Sequence, residues 1–192
     1  MENELRKVEN ACKLCAKCEL SKTRSNVVFG DGTPNNKIVL IGEAPGRDED
    51  MQGKPFVGRS GQLLDKILES VGFSRKINIY IMNTVKCRPP ENRNPLPGEK
   101  TACREFLDEQ LRILSPKIIL LCGAVAVTSM LDTKDGITKI RGKWFDMPNG
   151  MRAMPIFHPA YLLRNPSKEA GKPKWLMWQD MKEIKRVYDN LS

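Results

Sequence analysis

The sequence predicts an α/β fold in which a mainly parallel, four-stranded sheet is covered by helices. Four short apolar runs are typical of buried strands, because each is a continuous stretch rich in Ile, Val, Leu or Met. Segments with helical spacing of apolar residues follow these runs in turn, and strands that alternate with helices form parallel sheets. The predicted strands are residues 37–42, 77–83, 117–123 and 153–158.

Four segments carry the helical pattern, at residues 61–72, 97–114, 124–131 and 175–191. Gly72 is a typical helix stop, and Pro97 is a typical helix start. Asn149-Gly150 predicts a hairpin before the last strand. The length of 192 residues favours one domain, residues 1–192, with the cysteines of interest within 12–103.

The net charge of +9, from 32 Lys and Arg against 23 Asp and Glu, suits a polyanionic partner. A generally basic, solvated surface is the alternative, but the basic residues gather in loop-like segments at 22–26, 86–94 and 162–174. The longest apolar run, 118–127, is too short to cross a membrane, and the charged N-terminus lacks a signal peptide. We therefore expect a cytoplasmic protein with no membrane partner.

Polar residues follow the predicted strands at the edge of the sheet where ligands bind. Glu43, Asn83 and His158 come at or directly after the carboxyl ends of three strands, and Gly123 ends a fourth. Because parallel strands present these ends at one edge, we expect the side chains to converge there.

The six cysteines predict a metal site. Cys122 lies inside an apolar strand and is interpreted as a core residue, which leaves Cys12, Cys15, Cys18, Cys87 and Cys103. Disulfides are disfavoured in a reducing compartment, so a metal explains these cysteines better. The wide spacing of the last two favours an iron–sulfur cluster over zinc, which prefers paired C-x2-C knuckles.

Two loops carry candidate ligand-binding residues, each with a structural alternative. Residues 42–50 and 53–62 are rich in Gly and Pro, and there Glu43 could hold a water and Phe56 could stack on a planar ligand. The alternatives are a tight turn and a core aromatic residue. The helix start GRSG at 58–61, which includes Ser60, could bind a phosphate through its amides.

The segment FHPAYLLRNP, 157–166, is the most informative. Its histidine, the only one in the chain, could be structural. Its leucines beside an arginine, in a loop bounded by prolines, resemble a wedge that enters a base stack while the cation pairs with phosphate.

Together these segments resemble the iron–sulfur-containing uracil-DNA glycosylases, family four of that superfamily. The shared motifs are CAKCELSKTR, VVFGDG, GEAPG, GKPFVGRSGQLLD, NTVKCRPPENRNPLP and HPAYLLRNP, in this order along nearly the whole chain. The resemblance implies a three-layer α/β/α sandwich, a 4Fe-4S cluster and hydrolysis of the N-glycosidic bond of uracil in single- or double-stranded DNA. Such a reaction leaves an abasic site and initiates base excision repair. We expect a monomer.

The resemblance also assigns residues. It makes Cys15, Cys18, Cys87 and Cys103 the cluster ligands and leaves Cys12 as a surplus cysteine. It implies a uracil pocket at Gly42, Glu43, Ala44, Glu49, Phe56, Asn83 and His158. It implies a DNA-intercalating loop with Tyr161, Leu162, Leu163, Arg164 and Asn165.

The implied roles agree with the chemistry of these side chains. Phe56 would stack on the flipped uracil and leave little room for the thymine methyl group. Asn83 would donate to O4 and accept from N3–H, a pattern that cytosine reverses. His158 would donate to O2 as negative charge develops there, and Glu43 would orient the water or steady the sugar cation.

Around this site, Leu162, Leu163 and Arg164 would fill the vacated stack and hold phosphates. The cluster would be structural, joining the N-terminal segment to the loop 87–103. Three alternatives stay open: a glycosylase for another deaminated base, a non-catalytic iron–sulfur redox protein and a zinc-containing DNA-binding module.

Overall fold

The computed structural model describes residues 1–34 and 37–191, and within them it confirms the predicted α/β class. Helices cover both faces of one mixed sheet. The helices are α1 Glu2–Lys13, α2 Arg47–Gln52, α3 Arg59–Glu69, α4 Pro97–Leu114, α5 Ala124–Met130, α6 Ile137–Ile140, α7 Pro159–Arg164 and α8 Pro173–Asp189. The strands are β1 Asp31–Gly32, β2 Ile38–Gly42, β3 Tyr80–Asn83, β4 Ile118–Cys122, β5 Phe145–Asp146 and β6 Arg152–Ile156.

The sheet has the strand order β1-β3-β2-β4-β6-β5 in the described residues, so the predicted count of four strands is corrected to six. The four predicted strands form its parallel centre. The two added strands, β1 and β5, pair antiparallel at its edges. Each has only two residues, which is too short for a hydrophobic pattern to reveal it.

Alternate residues of the central strands enter two separate cores, as the three-layer arrangement requires. In β2, Val39 and Ile41 pack with residues of α1, α4 and α5, whereas Ile38 and Leu40 pack with residues of α3, α7 and α8. All four side chains are at most 1% exposed, which explains the continuous apolar runs in the sequence. Cys122 lies in the second core, as predicted.

The bounds of the helices and strands test three local predictions from the sequence. The Asn149-Gly150 hairpin between β5 and β6 is confirmed, and both residues have positive φ, 62° and 72°. The strand predicted at 77–83 is β3, and it begins at Tyr80 rather than at residue 77. The preceding residues form a turn in which the Ser74 carbonyl accepts the N–H groups of residues 77–79. The segment 159–164, predicted as a loop, is the short helix α7.

No helix in residues 1–34 and 37–191 combines the length and the apolar character that a membrane span requires.

Candidate active site and cysteine site

A cavity of about 620 Å³ opens at the carboxyl edge of the parallel strands, where the sequence predicted convergence. Its wall includes Glu43 after β2, Asn83 at the end of β3 and His158 after β6. Ala44, Glu49 and Phe56 also line it. The topology has therefore brought together residues that are up to 115 positions apart in the chain, counted from Glu43 to His158.

Asn83 lies at the bottom of this cavity with an unused hydrogen-bond acceptor. Its side chain is 2% exposed, and its buried Oδ1 has no partner among the described residues. Leaving a buried acceptor unpaired costs about 1–3 kcal/mol, so such an atom in a cavity is suited to a ligand N–H.

Gly42 does not line the cavity but lies against two side chains that do. A Cβ atom there would lie 2.4 Å from Asn83 Oδ1 and 2.5 Å from Phe56 Cζ. Residue 42 must therefore be glycine for the Asn83 and Phe56 side chains to occupy their positions.

The rings of Phe56 and His158 stand side by side on the cavity wall. Their centroids are 5.7 Å apart with an interplanar angle of 33°. Phe56 is 6% exposed, so its ring is held by the protein and presents little surface except to the cavity. This arrangement suits a flat, partly apolar ligand.

The hydrogen bonding of His158 defines its tautomer. Its Nδ1 accepts the N–H of Ala160 at 3.1 Å and so caps the N-terminus of α7. In a neutral ring the proton is then on Nε2, which is a donor. Burial lowers the pKa of His158 to about 4, and the charge of Arg164 acts in the same direction. The imidazole is therefore neutral at physiological pH.

Glu43 and Glu49 differ in how their carboxylates are used. Burial raises the pKa of the Glu43 carboxyl group. The backbone carbonyl of Glu43 accepts hydrogen bonds from the Thr84 hydroxyl and the Val85 N–H across the β2–β3 pair. The Glu49 carboxylate instead accepts the N–H groups of Gly46, Val57 and Gly58, which joins two loops of the cavity. This geometry gives the Glu49 carboxylate a scaffolding role, which the sequence did not predict.

The residues predicted to contact DNA differ in where their side chains lie. Ser60, Tyr161 and Arg164 line the same cavity, so they can face a substrate that enters it. Leu163 is 39% exposed, and Asn165 donates a hydrogen bond to the Tyr161 carbonyl.

The prediction for Leu162 is corrected. The side chain is 1% exposed and packs in the core with α3 and α8, because α7 is a helix and turns this face inward. Leu163, on the outer face, is the leucine available to a partner.

Sequence reasoning missed several residues of the site. Pro89, Asn92, Arg93 and Asn94 line the cavity from the segment between the third strand and α4. Arg93 is fixed there by two hydrogen bonds to the carboxylate of Glu99. This segment is basic and rich in proline, which indicated a loop that contacts a ligand. Nothing in the sequence showed which of its side chains would line the cavity.

Five cysteines gather around a second, narrow cavity. Cys12, Cys15 and Cys18 come from the N-terminal segment, Cys87 follows β3, and Cys103 lies on α4. None of these five cysteines forms a disulfide bond. The structure thus assembles the predicted set and includes Cys12 among the cysteines around this cavity.

Hydrogen-bond donors and positive charge surround these sulfurs. Arg24 Nη1 donates to Cys87 Sγ at 3.2 Å, and the Lys86 backbone N–H donates to Cys103 Sγ at 3.3 Å. Burial raises the pKa of Cys12 to about 12 and that of Cys103 to about 11, while the Lys86 ammonium opposes both shifts. Donors and cations of this kind suit thiolate ligands of a metal group.

Within the described ranges, no three or more His, Cys, Asp or Glu side chains are placed at the spacing of ligands around a single metal ion. Four cysteine thiolates are the donor set that a 4Fe-4S cluster takes, with one thiolate on each iron.

Lys86 connects the two sites and was not predicted. Its side chain is completely buried, and its Nζ donates to the backbone carbonyl of Asn83 at 2.7 Å. Cys87 is the next residue in the chain, so the loop that leaves the base of the cavity enters the cysteine site directly.

Comparison with known proteins is consistent with this geometry. Residues 29–182 match the model of the uracil DNA glycosylase superfamily. A type-4 uracil-DNA glycosylase of Thermotoga maritima is 44% identical over 93% of this chain and 91% of its own length. A type-4 enzyme of Archaeoglobus fulgidus is 40% identical over 79% of each chain. A type-5 uracil-DNA glycosylase of Thermus thermophilus is 29% identical over 68% of each chain. The chain belongs to the type-4 family of the uracil-DNA glycosylase superfamily.

Proposed function

We propose that this protein is a monofunctional glycosylase that flips uracil out of DNA and hydrolyses its N-glycosidic bond at the cavity described above. The observation that carries the proposal is the buried, unpartnered Oδ1 of Asn83 beside the Phe56 ring and a neutral His158. These three groups supply an acceptor, a stacking surface and a donor, which together match the edge and the face of uracil.

Recognition of the base follows from Asn83 and Phe56. Oδ1 of Asn83 accepts the uracil N3–H, and its amide N–H donates to O4. Cytosine presents the reverse pattern at these positions, so it leaves a buried donor and a buried acceptor unpaired. The Phe56 ring stacks on the base and limits the space beside C5.

Bond cleavage relies on charge stabilisation. As the glycosidic bond breaks, the sugar gains positive charge and the uracil gains negative charge at O2. His158 donates its Nε2–H to O2, and because the ring is neutral it gives this hydrogen bond without transferring a full proton. Glu43 orients the attacking water or steadies the sugar cation, and its partial burial strengthens either interaction.

The DNA backbone is held at the rim of the cavity. Leu163 is the exposed wedge that fills the space left by the flipped base, and Arg164 pairs with a phosphate. Ser60 lies at the N-terminal turn of α3, where backbone amides favour an anion. The net charge of +9 strengthens the phosphate contacts at low salt.

We further propose a 4Fe-4S cluster with Cys15, Cys18, Cys87 and Cys103 as ligands. When bound, the cluster supplies structural support, because it joins the N-terminal segment to the loop that carries Pro89, Asn92 and Arg93 into the active-site cavity. Arg24 and Lys86 then hydrogen-bond to ligand sulfurs. The cluster takes no part in cleavage of the bond.

Replacement of single cysteines tests the ligand set. Cys103→Ser is expected to lose most of the brown absorption and most of the iron of the purified protein, because serine replaces a thiolate ligand. Cys12→Ser is the matched control and should retain both. If Cys12→Ser bleaches the protein while Cys18→Ser does not, the register of the N-terminal ligands is wrong by three residues. A colourless wild type that contains zinc would favour the zinc alternative.

The activity itself is tested on labelled oligonucleotides. Incubation with DNA that contains one uracil, followed by alkali, should give a strand break at the uracil position. Matched thymine and cytosine oligonucleotides should stay intact. Intact uracil strands with folded protein would refute the proposal, and faster release of another base from a panel of deaminated bases would assign a different substrate.

A further inference from the structure

We propose that Arg75 is a positioning residue for uracil recognition, because it holds Phe56 in the backbone conformation that brings its ring to the cavity. The inference rests on the proposed role of Phe56 as the surface on which the base stacks. Arg75 follows α3 in the chain and does not line the active-site cavity, so it would act only through Phe56.

Phe56 has a backbone conformation that bulky residues avoid. Its φ angle is 53°, in the left-handed region, where a Cβ atom is unfavourable. Residues in such conformations persist when their surroundings fix them, and they cluster at functional sites. The conformation therefore requires partners that outweigh its cost.

Arg75 is the principal partner of this strained segment. Its Nη1 donates to the Pro55 carbonyl and its Nη2 to the Phe56 carbonyl, each at 2.5 Å. One planar guanidinium thus fixes two successive carbonyl groups with donors held in a rigid fork, whereas the donors of a lysine ammonium share one nitrogen and rotate freely. The peptide bond after Phe56 is also held at its other end, where the Val57 N–H donates to Glu49.

The surroundings fix the guanidinium in turn. Its Nε donates to Asp65 Oδ1 at 2.8 Å, and Nη1 lies 3.5 Å from Asp31 Oδ2. The Arg75 side chain is 13% exposed. Gly61 of α3 approaches the same carbonyl, since a Cβ atom there would lie 1.9 Å from the Phe56 oxygen. The segment is therefore packed tightly against α3 and Arg75, and movement of the arginine would release the ring.

The test is a double-mutant cycle between residues 75 and 56. Arg75→Gln should lower kcat for uracil excision by roughly 10- to 100-fold with little change in KM or in affinity for undamaged DNA, because a misplaced stacking surface affects the bound base. Arg75→Lys, which keeps the charge, should rescue only a small part. In a Phe56→Gly background, glycine adopts positive φ freely and no ring remains. Arg75→Gln should then change kcat by no more than about twofold.

Arg112→Gln is the matched control, because it removes the same charge from an exposed ion pair on α4 and should leave kcat unchanged. Asp65→Asn leaves the guanidinium in place but removes the negative charge from the acceptor of its Nε–H. It weakens this hydrogen bond and so gives a second, milder perturbation that is not subject to misfolding of the Arg75 variants. It should lower kcat by less than Arg75→Gln and, again, only when Phe56 is present.

Three outcomes separate the possible failures. Equal loss of kcat from Arg75→Gln with and without the Phe56 ring would overturn the inference and leave Arg75 a general stabilising residue. Full activity of Phe56→Gly would overturn both the stacking role and the inference. Inactivity of the wild type on uracil-containing DNA would refute the proposed function itself.

Discussion

Asn83→Asp is expected to lower kcat/KM for uracil excision by about 10³-fold or more, the range seen when a site loses a matched hydrogen-bond pattern. The change replaces the amide donor with an acceptor, so O4 of uracil would face a carboxylate oxygen in a site where Asn83 is 2% exposed. The negative charge would also oppose the charge that develops on the leaving uracil. The measurement is single-turnover release of uracil from a labelled duplex.

Asn149→Asp is a suitable control for this experiment. It makes the same chemical change and the same change in net charge, but in the hairpin before β6, at the opposite edge of the sheet. Its φ of 62° is one that Asp tolerates. We expect wild-type activity from it, and we expect Asn83→Asp to keep its affinity for DNA that lacks uracil. Equal loss of DNA binding and of chemistry in Asn83→Asp would contradict the proposed recognition.

His158→Ala is expected to lower kcat by about 10²- to 10³-fold, the cost of removing one donor to a developing oxyanion. The affinity for undamaged DNA should change little, because the ring interacts with the base and not with the backbone. His158→Gln, which retains an N–H donor, should recover part of the loss. Equal activity of the Ala and Gln variants would show that donation from residue 158 does not contribute.

The protonation state of His158 can be measured directly, since it is the only histidine in the chain. Its ring resonance should titrate near pH 4 rather than 6.5, with the neutral form protonated on Nε2. A folded-state pKa below the unfolded value means that stability is lost as pH falls from 6.5 to about 4. A shift of this size corresponds to up to about 3 kcal/mol in the free energy of unfolding, and this part should be absent in His158→Ala. Titration above physiological pH would contradict the neutral-donor mechanism, because the ring would then be charged when the enzyme works.

The local patterns of the sequence were sufficient for the central fold. Continuous apolar runs identified the four parallel strands, because strands covered on both faces need no polar alternation. The order of strands and helices then required Glu43, Asn83 and His158 to meet at one edge, and the cysteine spacing indicated a shared metal group. These conclusions depend on residue type and chain order, which the sequence contains in full.

Other features arose only from packing between distant segments. Leu162 and Leu163 are equivalent in the sequence, but the helix α7 turns one into the core and leaves the other exposed. Arg75 and Lys86 have ordinary neighbours in the chain, whereas in the structure they bind the carbonyl groups of Phe56 and Asn83. The sequence by itself therefore determined the fold class, the family and the set of candidate site residues. Only the tertiary structure decided which groups orient them, because hydrogen bonds to backbone carbonyls depend on geometry and leave no pattern in residue type.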